Sequence, residues 1–199
     1  MSRYTGPKNR LSRREGFDLF GKGNKLRRSS VPPGQHGPKG AKRLSDYGLR
    51  LREKQKLKRI YGVTERQFQK YFAQATKVRG KTGEVLLQIL ETRLDNIVYR
   101  LGFTPTRTMA RQLTSHGHVR VGDSPVSIPS YQGKVGDIVT LSPKSAKIPA
   151  VQFRLDNSEI HPPAWLERQA AAGIVLSLPK RSQIDAPVDE QLIVEFYAR

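Results

Sequence analysis

The chain has 199 residues, of which 36 are Lys or Arg and 17 are Asp or Glu, so its formal net charge is +19. Only 36% of its residues are hydrophobic and none is Cys, which favours one or two small cores over a large single-core enzyme and excludes disulfides, thiol nucleophiles and Cys-ligated zinc. No apolar run approaches the length of a membrane span or of a signal-peptide core, so we expect a soluble protein that binds a polyanion, most often nucleic acid.

Most of the excess charge lies in the first third of the chain. Residues 1–60 hold 18 Lys or Arg against four acidic residues, a net charge of +14. Within them, residues 21–43 are rich in Gly, Pro and cations, so this segment is predicted to be extended or irregular and to become ordered mainly on a partner. A disordered solubilising tail is the alternative. Three apolar residues, Phe17, Leu19 and Phe20, lie beside Arg13 and Arg14, and this mixture favours a short docking helix instead.

Three helices are predicted after this arm. The first begins at Ser45 or Asp46, either of which can cap it, and ends at Gly62. The second begins with a capping box in residues 64–67, and its apolar stripe ends at Gly80. The third is capped near Thr82. Their apolar residues, which would form a small bundle, are Tyr47, Leu51, Leu57, Ile60, Tyr61, Phe68, Tyr71, Phe72, Ala75, Val78, Val85, Leu86, Ile89 and Leu90.

The first of these helices is nearly all basic outside its apolar positions. Its cations lie three or four residues apart, where like charges repel each other and destabilise an isolated helix, and only Glu53 relieves the repulsion. A solvated charged face is the usual interpretation of such a helix, but solvated faces normally mix both signs. We therefore favour contact with phosphates, through Arg50, Arg52, Lys54, Lys56, Lys58 and Arg59.

Residues 91–141 have the most informative pattern, which predicts two helices followed by short strands. The first helix is predicted to end at Gly102, and the second to begin with Thr104 as its N-cap and to end at Gly117. Their apolar residues recur at helical spacing at Leu94, Ile97, Val98, Leu101, Ala110 and Leu113. Alternating stretches predict strands in residues 118–121, 125–128 and 137–141.

Polar side chains cluster on the outer face of the second of these helices. Arg107, Arg111 and Ser115 follow one another at four-residue spacing, so two guanidinium groups and a hydroxyl project from one side. The junction between the helix and the following strand adds His116, His118 and Arg120. On alternate positions beside Arg residues, the two His are better interpreted as RNA or capping contacts than as a metal or acid–base pair.

Several motifs resemble a known family. Leu94–Phe103, Ala110–Leu113 and His116–Val121 resemble the small RNA-binding module named after small-subunit ribosomal protein S4. Five further stretches, in order along the chain, resemble the S4 ribosomal protein family itself: Arg3–Pro7, Leu11–Gly16, Pro32–Gly37, Leu51–Lys56 and Gln191–Tyr197. The resemblance covers most of the chain and is weakest over residues 142–180, where the chain looks shorter than the usual member.

The resemblance implies a primary binder of small-subunit ribosomal RNA that acts early in assembly, at a junction of RNA helices. It also implies contact with a neighbouring small-subunit protein concerned with decoding accuracy, and a location near the entrance of the mRNA path, where contact with mRNA itself stays open. It implies no membrane and no small-molecule substrate as partners. The implied location is the ribosome in the cytoplasm, and an organellar ribosome stays open.

Metal binding is where the chain departs from some members of the family, which carry a four-Cys zinc site in the N-terminal region. This chain has no Cys, and His36 alone cannot replace four ligands. We therefore expect no metal and no cofactor, and an N-terminal segment that folds on RNA.

Two other functions remain as alternatives. Arg93–Asp95 resembles the triplet around the catalytic Asp of pseudouridine synthases, which often carry the same module. It lies inside the first helix of the module, however, and 199 residues leave no room for a further catalytic domain, so we expect no enzyme and a helix or loop partner in Asp95. A general basic protein that coats nucleic acids is the other alternative, and it predicts equal affinity for any nucleic acid.

The predicted fold class is α+β, with four segments. These are an extended basic arm (1–43), a helical domain (44–90, completed by 180–199), an RNA-binding module inserted in the chain (91–152) and a β-rich return segment (153–179). The side chains predicted to contact RNA are Arg3, Lys8, Arg10, Arg13, Arg14, Lys22, Lys25, Arg27, Arg28, His36, Lys39, Lys42, Arg43, Arg50, Arg52, Lys54, Lys56, Lys58, Arg59, Arg107, Arg111, Gln112, Ser115, His116, His118 and Arg120.

Overall fold

The computed structural model describes residues 4–23, 31–40, 43–157 and 161–198. The chain divides into two compact units, Met1–Lys77 with Ala186–Arg199 and Val78–Asp185. The first unit is helical and the second combines helices with a small antiparallel sheet, so the predicted α+β class is confirmed. The division differs from the expected segments in that residues 78–90 and the return segment both lie in the second unit.

The elements of the described residues follow one another along the chain. The helices are α1 (Lys8–Glu15), α2 (Asp46–Ile60), α3 (Glu65–Ala75), α4 (Thr82–Glu91), α5 (Leu94–Arg100), α6 (Arg107–Ser115), α7 (Pro143–Ala146), α8 (Pro149–Asp156) and α9 (Glu190–Tyr197). The strands are β1 (Val119–Val121), β2 (Ser124–Pro125), β3 (Ile138–Leu141), β4 (Leu166–Gln169) and β5 (Ala172–Val175), and 3-10 turns occupy Gly37–Lys39 and Arg181–Gln183. None of these helices is both long and apolar enough to span a membrane.

Helix α2 is the centre of the first unit and forms where the sequence predicts it. The Ser45 hydroxyl accepts a hydrogen bond from the Gly48 N–H (3.3 Å) and caps the helix. Leu57 and Ile60 are buried. Tyr47 is exposed, but its ring lies 5.6 Å from that of Phe196 in α9, which packs along α2.

Helix α3 forms as predicted, but its capping box does not. Thr64 is the N-cap and its side chain makes no capping hydrogen bond. The Gln67 side chain is directed along the helix, where its amide donates to the Tyr71 hydroxyl (2.8 Å). The buried stripe runs through Tyr71 to Ala75, where the helix ends, and Val78 is exposed. The apolar stripe therefore stops short of the predicted Gly80.

The sheet of the second unit has the strand order β2-β1-β3-β5-β4, and every neighbouring pair is antiparallel. In its register Val119 pairs with Leu141, and Leu166 pairs with Val175. All four are buried in one core with the apolar residues of α5 and α6. The strand predicted in residues 125–128 is only Ser124–Pro125, since Pro125 has no N–H to donate and the chain leaves β1 after Val126.

Helix α6 begins two residues later than predicted. Thr106 is the N-cap, and its hydroxyl accepts from the Met109 N–H (3.3 Å), whereas Thr104 is buried and donates to the Thr106 carbonyl (3.2 Å). The predicted end is confirmed: Gly117 has a φ of +74°, and the His118 N–H bonds to the Leu113 carbonyl (3.0 Å) in a Schellman motif. This turn sets the direction in which the chain enters β1.

Candidate RNA interface

The predicted RNA contacts fall into three groups: the arm, helix α2, and the surface of α6 and β1. Five of them lie outside the described residues, namely Arg3, Lys25, Arg27, Arg28 and Lys42. The remaining cations differ in what already contacts them. That difference separates side chains that hold the protein together from side chains presented to a partner.

Every cation predicted on α2 pairs with a carboxylate of the protein. The pairs are Arg50–Glu195 (2.8 Å), Arg52–Glu15 (3.2 Å), Lys54–Glu65 (2.6 Å), Lys56–Glu53 (3.4 Å), Lys58–Glu65 (2.8 Å) and Arg59–Glu15. The prediction that only Glu53 relieves the repulsion along this helix is therefore wrong. The other carboxylates come from α1, α3 and α9, which lie next to α2 only in the folded chain.

Glu65 joins three elements of the first unit. Burial alone would raise the pKa of Glu65, but hydrogen bonds from Lys54, Lys58 and Tyr197 lower it to about 2. Burial and this hydrogen bond raise the pKa of Tyr197. The Lys54 side chain is only 5% exposed, and its ammonium lies 4.3 Å from the centre of the Phe196 ring. Lys54 and Lys58 thus fasten α3 and α9 to α2.

Glu15 fastens the arm to α2 in the same way. Its side chain is 1% exposed and accepts hydrogen bonds from Arg52 and Arg59. Burial raises the pKa of Glu15 despite these two cations. Residues 8–15 of the arm form helix α1, which is paired with α2 through Glu15, and are not extended. A short helix thus forms at Arg13 and Arg14, but it ends before Phe17.

The rest of the described arm is held partly by its own side chains. Arg13 donates to the carbonyls of Val31 (2.9 Å) and Pro32 (3.0 Å), which ties residues 31–40 to α1. The Lys22 ammonium donates to the Asn9 side chain (2.6 Å). Of the other predicted contacts in the arm, Lys8 is half-buried, and Arg10, Arg14, His36, Lys39 and Arg43 are exposed.

On α6, Arg107 is held in a defined direction by two neighbours. Its Nε donates to the Asn96 carboxamide oxygen (2.8 Å), and its guanidinium lies 4.5 Å from the centre of the Tyr99 ring. The Asn96 amide in turn donates to the buried Glu91 carboxylate (2.7 Å), which also accepts two hydrogen bonds from Arg100 (2.7 and 2.9 Å). Arg107 is thus the outermost member of a hydrogen-bonded chain that begins in the core.

The other predicted side chains of the module lie between residues 111 and 120, and the structure describes all of them. Arg111 and His118 are half-buried, and Gln112, Ser115, His116 and Arg120 are exposed. The rings of His116 and His118 are 6.4 Å apart and nearly parallel. The Arg120 guanidinium donates to the Asp123 carbonyl (2.5 Å). We call this set of polar side chains, from α6 through the Gly117 turn to β1, the α6 surface.

Glu91, Asn96 and Tyr99 are functional candidates that sequence reasoning missed. One signal for Glu91 and Asn96 is their position in a run of buried residues. A polar side chain at such a position needs a hydrogen-bonding partner. The identity of that partner is not encoded locally. Arg107 lies 11 residues beyond Asn96 in the next helix.

Asp95 is a structural partner in the fold. The Arg93 guanidinium donates two hydrogen bonds to its carboxylate (2.7 and 3.0 Å), and the Arg93 side chain is fully buried. Across the described ranges, no three or more His, Asp or Glu side chains are grouped so that they could hold a metal ion. The arrangement of the α6 surface instead suits contact with an anionic polymer.

Comparisons with known proteins cover the whole chain. The family model described as the ribosomal protein S4/S9 N-terminal domain matches residues 3–91, and the S4 domain model matches residues 92–139. The small ribosomal subunit protein uS4 of Dictyoglomus turgidum is 55% identical over 208 residues, and that of Herpetosiphon aurantiacus is 50% identical over 211 residues. The uS4 protein of Neisseria meningitidis is 50% identical over 207 residues, and in each case 100% of both chains is covered.

Proposed function

This chain belongs to the family of small ribosomal subunit proteins uS4, and we propose that it binds ribosomal RNA as a structural constituent of the small subunit. The family is structural and not enzymatic. Ribosomal RNA and other ribosomal proteins are its partners, and the ribosome is its location. Since the three relatives named above are bacterial, we place this ribosome in the cytoplasm of a bacterium.

The observation that carries the proposal is the preorganised Arg107 on the α6 surface. A guanidinium presents a planar fork of donors that matches a phosphate and can also stack on a base. Asn96 and Tyr99 hold this fork before any partner arrives, so less side-chain freedom is lost on binding. The same surface brings Arg111, Gln112 and Ser115 to the exposed side of α6.

Recognition by this surface depends on the shape and backbone of folded RNA. The major groove of A-form RNA is too deep and narrow for side chains, so the module contacts the minor groove, loops and phosphates. Each phosphate that a cation neutralises releases counterions, and the affinity therefore falls steeply as the salt concentration rises. The exposed cations of the arm contribute the same kind of contact.

Three finer roles form part of the proposal. Early binding would let the protein nucleate assembly of the subunit body, since a preformed module can grip RNA before other proteins arrive. Contact with a neighbouring ribosomal protein would link it to translational accuracy. Exposed cations in the arm, such as Lys39 and Arg43, suit a position beside mRNA where it enters the subunit.

Reconstitution of small subunits tests this function. Small-subunit RNA is mixed with all small-subunit proteins except the resident uS4, with and without this chain, and the particles are separated on a sucrose gradient. We expect the chain to sediment with the particle in about equimolar amount and to be released by ribonuclease. A chain that stays at the top of the gradient at moderate salt would contradict the proposal.

A further inference from the structure

The outer face of α3 carries cations that are not among the RNA contacts described so far. Arg66 and Lys70 lie one turn apart on α3, and Lys77 follows in the turn after its end, where its N–H bonds to the Gln74 carbonyl (3.2 Å). At 3.6 residues per turn Arg66 and Lys70 lie about 40° apart on α3. All three side chains are exposed, and Arg66 and Lys70 lie opposite the buried Phe68, Tyr71 and Ala75.

Among the residues that the structure describes, the cations of this face have no carboxylate partners, unlike those of α2. Glu65 is the one acid in the sequence of α3, and its two oxygens are taken by Lys54, Lys58 and Tyr197. Within the described ranges, no carboxylate lies within 4.0 Å of Arg66, Lys70 or Lys77. The fold thus neutralises the cations of α2 internally and leaves those of α3 for a partner.

We propose that Arg66, Lys70 and Lys77 form a phosphate-binding stripe, the α3 stripe, that contacts the RNA backbone at a place separate from the α6 surface. The inference rests on the proposed function and adds a binding site to it. Between the three cations the same face exposes Gln69, Ala73 and Gln74. Amides of this kind donate to phosphate and ribose oxygens, so the whole face can follow a sugar–phosphate chain.

A protein partner fits this face less well than RNA. The core of a protein interface is depleted in charge and is usually anchored by aromatic or other apolar side chains. None of the large hydrophobic side chains of α3 is exposed. Three like charges along a polar face match the regular charge of a nucleic acid backbone better.

The direct test places a carboxylate in the middle of the α3 stripe. In Ala73→Glu the new side chain lies three residues after Lys70, where an opposite charge stabilises a helix. It also lies in the last turn of α3, where a negative charge opposes the helix dipole. These two small effects have opposite signs, so the circular-dichroism melt should stay nearly level. Binding to a small-subunit rRNA fragment should weaken about tenfold, and the slope of log affinity against log salt should become shallower by about one to two, as expected when one or two phosphate contacts are lost.

Two variants serve as controls for size and net charge. Ala73→Gln has a similar size without charge, and Gln152→Glu changes the net charge equally at an exposed position on α8; both should bind within about twofold of the unmodified chain. If Ala73→Glu binds rRNA like Ala73→Gln, or no more weakly than Gln152→Glu, the stripe is not an RNA contact. The proposal is equally overturned if rRNA affinity is kept but entry into reconstituted subunits is lost, since a protein partner would then occupy this face.

Failure of the stripe can be told apart from failure of the proposed function. A double substitution of Arg107 and Arg111, made in the same chain, removes only the α6 surface. If that variant loses rRNA affinity while Ala73→Glu does not, the α3 stripe alone is wrong. If neither variant changes the affinity, the proposed RNA-binding surface itself is wrong.

Discussion

Replacing Glu91 by Ala is expected to destabilise the second unit by about 3–5 kcal/mol, the usual effect of removing one partner of a buried ion pair. The Glu91 side chain is fully buried and accepts two hydrogen bonds from Arg100 and one from the Asn96 amide. Its loss leaves the Arg100 guanidinium, whose side chain is 15% exposed, without its bidentate carboxylate. It also removes the group that orients Asn96 and, through it, Arg107.

Urea unfolding followed by tryptophan fluorescence measures this effect in the second unit. Trp165 is the only Trp in the chain and is fully buried in the core of that unit. Glu84→Ala is the matched control, because Glu84 lies on the same helix in an exposed pair with Lys81, and its loss should cost less than about 1 kcal/mol. Equal unfolding midpoints for the two variants would show that the Glu91 network contributes little.

The double substitution Arg107→Ala with Arg111→Ala should lower the affinity for a small-subunit rRNA fragment by about 10- to 100-fold. Two charge-assisted donors disappear from one helix face, and such bonds each contribute about 1.5–3 kcal/mol before compensation by water and neighbouring contacts. The free energy of unfolding should fall by about 1–3 kcal/mol, because the loss of Arg107 leaves the buried Asn96 carboxamide oxygen without its donor. Binding is therefore compared at a temperature where both proteins are fully folded.

Filter binding over a range of salt concentrations, together with a circular-dichroism melt, provides the measurement. Lys134→Ala with Lys147→Ala is the control, because it removes two exposed cations from the same unit and leaves the α6 surface intact. The control should bind within about threefold of the unmodified chain. Equal losses in both double variants would mean that net charge alone determines binding.

Features that depend on neighbouring residues could be predicted from the sequence. A cap at Ser45 or Asp46, the Gly117 turn and the alternation of β1 each depend on residues that are close in sequence. The structure confirms the turn and the alternation, and it selects Ser45 as the cap. The buried face of α5 and α6 follows in the same way from helical spacing. Family motifs then supplied the function, because they combine many such local features in a fixed order.

Features that depend on distant residues could not be predicted. The basic pattern of α2 resembles a phosphate-binding face, but Glu15 and Glu195, which neutralise Arg59 and Arg50, lie 44 and 145 residues away in sequence. No periodicity reveals such pairs. The charge pattern therefore located the excess of cations correctly. Which of these cations form ion pairs inside the protein, and which are exposed to a partner, could be seen only in the folded structure.

The N-cap of α6 shows that local signals also compete with each other. Thr104 and Thr106 both precede the helix, and Thr104 followed by Pro105 is the stronger pattern for a cap and first turn. In the fold Thr104 is buried, and its hydroxyl donates a hydrogen bond to the Thr106 carbonyl. Thr106 is then the residue placed to accept from the Met109 N–H.

Competition binding tests the central claim most directly. A labelled small-subunit rRNA fragment is bound to the intact chain at moderate salt and is displaced by unlabelled fragment, bulk tRNA or duplex DNA. Specific recognition of folded ribosomal RNA predicts that the unlabelled fragment competes at least about 1,000-fold better than tRNA or DNA, which is the lower end of the range by which specific nucleic acid binding exceeds non-specific binding. Equal competition by all three nucleic acids would contradict it and would identify a general basic coating protein.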